Sequence, residues 1–186
     1  MKSEKSSPPA LEACDDAELV RRFAAGDRLA INTFVRRWEH SLLRIALRIV
    51  GRLVDAEEVR QIVLMHVIQR PDQFAAKQNI GAWLRRCAIN ESLMCLRRRR
   101  RKVDHSLEDS VAMQPTDPAV SEEAELLAAA LRSMPPDVRA LLTLRFDEGL
   151  TVRQIGETLD TPFTTIQSRL TAAIVELRAR MGATAK

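Results

Sequence analysis

Residues 151–170, TVRQIGETLDTPFTTIQSRL, constrain the fold of this chain more than any other stretch. Thr151 followed three residues later by Gln154 is a capping box, so a helix starts there. Val152, Ile155 and Leu159 then share one face. Asp160 stands where that helix must stop, and Asp tolerates the left-handed conformation that a tight turn needs. Thr161 is placed to cap a second helix with Pro162 in its first position. Ile166, Leu170, Ala173, Ile174, Leu177 and Met181 recur at helical spacing and form its buried side. The opposite side carries Thr164, Thr165, Gln167, Ser168, Arg169 and Thr171. Two helices across a tight turn, the second opening with short hydrogen-bonding groups and one arginine, suit the major groove of DNA. The same pattern also fits an ordinary helical hairpin with a polar outer face.

The rest of the chain reads as helix as well. Tyr is absent, Gly numbers only 6 of 186 residues, and Ala, Leu, Glu and Arg recur in long runs, which implies an all-α protein. A hydrophobic content of 46% suffices for one packed domain or two small ones. The net charge of +4 leans toward a polyanionic partner. Arginines interrupt the most apolar segment, Leu42 to Val50, which argues against membrane insertion. The N-terminus lacks an apolar signal core, so a cytoplasmic location is expected. Cys14, Cys87 and Cys95 share no ligand spacing with His40, His66 and His105, so neither a metal site nor a cofactor is expected. No nucleophile–base pair, carboxylate pair or phosphate loop is recognisable, and an enzyme is not expected.

From the N-terminus onward, residues 1–13 are polar, contain Pro8 and Pro9, and are expected to be disordered. Asp15 with Glu18 starts a helix bearing Leu19, Val20 and Phe23, ended by Gly26-Asp27. A long helix over 28–50 carries an apolar stripe from Ile31 through Phe34, Trp38, Leu42 and Ile45 to Ile49, with Arg36, Arg37, Arg44 and Arg48 off it. Asp55 is placed to cap the next helix with Glu58 completing a capping box, while Val59, Ile62, Val63 and Val67 face inward. Pro71 ends it, and a polar loop is expected over Asp72 to Gln78. Asn79 caps a further helix that runs into six consecutive cations, Arg97 to Lys102. From 103 to 125 only acidic charges occur, with Pro115 and Pro118, so 103–120 is expected to be an acidic flexible linker between domains 14–102 and 121–182. Ser121 is placed to cap a helix through Leu131. Pro135-Pro136 starts another, with Val138, Leu141, Leu142 and Phe146 inward, ending at Gly149.

Two small helical domains, a basic helix end, an acidic linker and a C-terminal helix-turn-helix resemble the extracytoplasmic-function (ECF) group of the bacterial sigma-70 family. The resemblance spans residues 15–181. It rests on Asp55-Ala-Glu-Glu-Val-Arg-Gln61, Ala82-Trp83-Leu84 with Ala88 and Asn90, Met134-Pro135, Leu144-Arg145, Glu148-Gly149-Leu150-Thr151, Gln154-Ile155 and Thr165 through Leu170. Departures include Ile62 for an acidic residue, Ile68 for an aromatic and Met94 for an aspartate. Gln167 replaces a lysine, and Thr171, Ala172 and Ala173 replace basic residues, so this helix offers fewer phosphate contacts.

The resemblance implies an RNA polymerase sigma factor: a protein that binds core polymerase through its clamp and flap, recognises −10 and −35 promoter elements and promotes DNA opening. It implies Glu58 and Gln61 as polymerase contacts. It places Arg86, Asn90, Arg97 and Arg98, with the 72–78 loop, near −10 DNA. It makes Arg153, Thr164, Thr165, Gln167, Ser168, Arg169 and Thr171 the −35 candidates. Promoter DNA and an anti-sigma factor are the further partners implied. The alternative, a helix-turn-helix transcriptional regulator that works without polymerase, leaves the first domain without a task.

Overall fold

The architecture follows from where each helix can start and stop. The structure is a computed structural model and describes residues 11–75, 77, 79–103 and 122–184. Among these the secondary structure is helical throughout. Asp15 accepts from the Glu18 amide at 2.7 Å and caps α1 (Asp16–Ala24). Asp27 accepts from the amides of Leu29 and Ala30 and caps α2 (Arg28–Val50). Gly51 closes α2 in the left-handed conformation, φ 78°, where a Cβ would be strained.

The first domain is completed by α3 (Leu53–Gln69), the short α4 (Pro71–Ala75) and α5 (Ile80–Val103). α2 is its axis: α1, α3 and α5 all pack against it. Phe34, Leu42, Ile45 and Ile49 of the expected stripe are fully buried. Gly81 lets the start of α5 close on Trp38; a Cβ there would come within 2.7 Å of the indole. Packing begins at Leu11, which is 1% exposed although it lies in the stretch expected to be a disordered tail.

The second domain comprises α6 (Glu122–Ser133), α7 (Pro136–Leu142), a π-helical turn (Thr143–Asp147), α8 (Val152–Leu159) and α9 (Phe163–Thr184). It rests on the first domain, α7 against α2 and α8 against α5. The buried side chains of both domains join in one continuous hydrophobic cluster. Residues 104–121, which hold most of the acidic linker and the expected Ser121 cap, lie outside the described residues.

Four local expectations are corrected. α3 starts at Leu53, so Asp55 lies inside its first turn and neither Asp55 nor Glu58 caps it; Arg52 holds the cap position without a side-chain bond. Asp55 instead lies 3.8 Å from Arg52 Nε and 3.7 Å from Arg99 Nη1. In the same helix Ile62 is only half-buried, while Leu64 is buried. Residues 71–75 form α4 in place of a polar loop, because Phe74 has an apolar seat against Trp83, ring centroids 4.5 Å apart. Thr161 does not cap α9: its hydroxyl donates to the Leu159 carbonyl, and Pro162 precedes the first helical residue.

The fourth correction concerns Phe146, which is 62% exposed, not inward. The helix expected to run to Gly149 widens into a π turn after Leu142. The added residue advances the register, so Leu144 is buried and Phe146 is carried outward.

Candidate functional site

Three exposed surfaces carry the candidate residues. The first is the hairpin of α8 and α9. Thr151 Oγ1 accepts from the Gln154 amide at 3.3 Å. Gln154 Oε1 accepts from the Thr151 amide at 2.9 Å. The expected capping box is therefore present. Asp160 takes the expected left-handed conformation, φ 53°. Ile155 and Ile166 seal the angle between the helices, with Leu170 and Ala173 buried further along α9. Thr164, Gln167, Ser168, Arg169 and Thr171 are exposed and Thr165 is half-buried. Ser168 and Thr171 donate to the carbonyls of Thr165 and Gln167, which leaves their oxygens as acceptors. Arg153 is exposed and lies 3.7 Å from Glu157. Phe163, which sequence reasoning did not single out, begins α9 with its ring exposed.

The second surface runs along α5. Arg86, Asn90 and Arg97 recur at helical spacing on one exposed face. They span roughly 16 Å of helix axis. Met94, in place of the family's aspartate, is exposed on that stripe. Arg98 is exposed beside it. On the neighbouring face Trp83 contacts Phe74 and His66, and His66 Nδ1 lies 3.8 Å from Cys87 Sγ. Burial, with a smaller push from Glu91, raises the Cys87 thiol to about 11.

The third surface is on α3. Glu58 and Gln61 are both exposed. They alternate with the exposed Val54 and Met65, at the i, i+4, i+7 and i+11 spacing of one helix face. The apolar ends of this stripe are legible as spacing, but sequence reasoning did not single them out. Among the described residues no group of His, Cys, Asp or Glu is arranged to hold a metal, and no helix is long and apolar enough to cross a membrane.

Between the domains, Glu148 is the central group, its side chain only 4% exposed. It accepts from Ser41 Oγ, from Arg44 Nη2 at 2.7 Å and from Arg85 Nε at 3.4 Å. Arg85 itself lies over the Trp38 ring, 4.8 Å from its centroid, in a cation–π arrangement. Asp147 accepts from Arg48 at 3.0 Å. Arg139 donates to the Ile49 carbonyl at 2.6 Å and to the Arg132 carbonyl at 3.3 Å, and burial lowers its pKa. The turn of the hairpin meets the α5 surface directly: Asp160 Oδ2 is 3.6 Å from Arg86 Nη1.

Comparison with known proteins decides the family. The Sigma-70 region 2 family matches residues 34–102, and the Sigma-70, region 4 family matches residues 124–177. The chain belongs to the ECF group of the sigma-70 family. It is 28% identical over 171 residues to the RNA polymerase sigma-H factor of Pseudomonas aeruginosa, covering 83% of this chain and 88% of that protein. To the ECF RNA polymerase sigma-E factor of Escherichia coli K12 it is 27% identical over 173 residues, 86% of this chain and 90% of that protein. The same fold occurs in the sigma factor RpoE of Bartonella quintana, solved with the anti-sigma factor NepR. That match has a TM-score of 0.65 and 24% identity over 80% of this chain and 94% of that one. CnrH, solved with the cytosolic domain of CnrY, gives a TM-score of 0.66 and 19% identity over 90% of this chain and 97% of that one.

These matches set the surfaces in context. The α3 and α5 stripes of this ECF sigma factor fall within region 2, and the hairpin within region 4. As a member of this family the protein serves RNA polymerase in transcription initiation.

Proposed function

We propose that this sigma factor binds core RNA polymerase through the α3 stripe of Glu58 and Gln61. It reads the −10 element with Arg86 and Asn90 on α5, and the −35 element with Gln167, Ser168 and Arg169 on α9. Arg97 and Arg98 neutralise phosphates beside the −10 strand without reading sequence. Thr164, Thr165, Thr171 and Arg153 contribute hydrogen bonds and charge at the −35 duplex. In opening the promoter, a base leaves the stack for a protein surface at a cost of roughly a few kcal/mol, which cations and polar groups must offset.

The observation that carries this reading is the simultaneous exposure of the three polar surfaces, two on one domain and one on the other, within a family of initiation factors. The protein works where polymerase and chromosome are, in the cytoplasm. Of the two solved relatives, one is in complex with an anti-sigma factor and the other with the cytosolic domain of CnrY, which supports an anti-sigma partner here.

Run-off transcription with purified bacterial core polymerase, with and without this protein, tests the proposal. Transcripts that start from a defined promoter only when the protein is present are the expected result. DNA binding that needs no polymerase, with no change in run-off, would favour a polymerase-independent regulator instead.

A further inference from the structure

The two candidate DNA-reading surfaces touch in this structure. Asp160, at the turn that leads into α9, lies 3.6 Å from Arg86 on α5. Yet −10 and −35 elements, by their names, are about 25 base pairs apart, roughly 85 Å along the duplex at about 3.4 Å per step. A compact chain of this length has a radius of gyration of about 16 Å. No single placement of the docked arrangement lets both surfaces reach their elements. The domains must part before the protein can span a promoter. The stretch from 104 to 121 supplies up to about 60 Å of chain for that.

What opposes parting is chemically specific. Asp147 and Glu148 form an adjacent carboxylate pair at the end of the π turn. Facing them, Ser41, Arg44 and Arg48 rise along one side of α2, and Arg85 is held against Trp38 on α5. Glu148 is nearly sealed from water, so its charge requires these partners. Arg139 adds a clasp from α7 to the end of α2, on the Ile49 carbonyl. None of these residues belongs to the proposed DNA or polymerase surfaces.

We propose that the Asp147–Glu148 pair is an autoinhibitory latch. By occupying Arg44, Arg48 and Arg85 it holds the helix-turn-helix domain on the first domain, with Arg86 shielded by Asp160, and the protein engages a promoter only after the latch is released. The consequence for transcription rests on the function proposed above; the latch itself does not.

The test uses the full chain. Asp147→Asn/Glu148→Gln neutralises one side, and Arg44→Gln/Arg48→Gln neutralises exposed residues of the other, so a folding defect in the first variant does not leave the question open. Small-angle scattering at low salt should show a radius of gyration about 20% or more above wild type in both variants. Wild type should approach the same value at high salt, where exposed ion pairs are screened. At limiting concentration with bacterial core polymerase, both variants should raise run-off yield roughly three- to tenfold, an opening penalty relieved. Unchanged scattering in both variants overturns the latch. Expanded variants with wild-type run-off overturn its inhibitory role. If no protein, wild type included, supports run-off, the polymerase reading fails and scattering alone decides the latch.

Discussion

A Cβ placed on Gly156 would lie 2.7 Å from the carbonyl oxygen of Thr161, across the turn between α8 and α9. The Thr161 amide in turn donates to the Gly156 carbonyl at 2.9 Å. Both contacts are backbone, so neither group can rotate away. Gly156→Ala is expected to destabilise the protein by about 1–3 kcal/mol, a fall in Tm of several degrees, and to weaken DNA binding through the displaced α9. Thermal melting by circular dichroism checks this. Gly182→Ala is the control, since a Cβ there meets nothing within 4 Å. It should melt at or slightly above wild type, as Ala favours helix over Gly. Equal melting of the two variants would contradict the close approach.

The π turn makes a second prediction. The Phe146 ring already faces solvent. Phe146→Ser should therefore change stability by less than about 0.5 kcal/mol. Leu144 is fully buried. Leu144→Ala should cost about 2–5 kcal/mol. Urea unfolding of the two variants separates this register from an uninterrupted α-helix, which would reverse the order.

Cys87 makes stability depend on pH in the alkaline range. Its folded thiol is raised to about 11, against 9.0 for an ordinary thiol in the unfolded chain. Between those values the unfolded chain has lost a proton that the folded chain keeps. Unfolding then releases a proton, and stability falls as pH rises across that window. Cys87→Ala should have the shallower slope when urea midpoints are compared from about pH 8 to about pH 11. Parallel slopes would count against burial of the thiol.

On the DNA side, Arg169→Ala should lose about 1–3 kcal/mol of affinity for promoter DNA if its guanidinium reads a guanine. Arg97→Ala/Arg98→Ala should act differently, weakening binding to all sequences and lowering the salt dependence by up to two phosphates' worth. Fluorescence anisotropy of the polymerase-bound protein on promoter and scrambled duplexes distinguishes the two. A promoter-specific defect in the Arg97/Arg98 variant would disprove its assignment to phosphate contact.

Much of the fold is legible because its signals are local. The bounds of α2 follow from Asp27 and Gly51, and the hairpin from Thr151, Gln154 and Asp160, each acting within a few residues. Errors arise where local chemistry offers a choice. Asp55 has a capping side chain, but the chain needs only Arg52 in extended form after Gly51, so the helix starts earlier. Phe74 reads as part of a polar loop because its partner, Trp83, is on another helix. The exposed polar positions of α5 and α9 follow from periodicity, and the structure finds Arg86, Asn90, Gln167 and Arg169 at the surface. The contacts of Glu148 join positions 63 to 107 residues apart, and no periodicity within a single helix encodes such a meeting.

Arg139 has an implication for anyone exchanging pieces between relatives. The last turn of α2 finishes on a guanidinium supplied from the far side of the chain. A fragment ending at residue 103 would leave the Ile49 oxygen to water, and a fragment starting at 122 would carry Arg139 with no seat for it. A chimaera that takes its front half from one parent and its back half from another inherits this junction as a unit, and should be designed with Arg139 and its landing site drawn from the same parent.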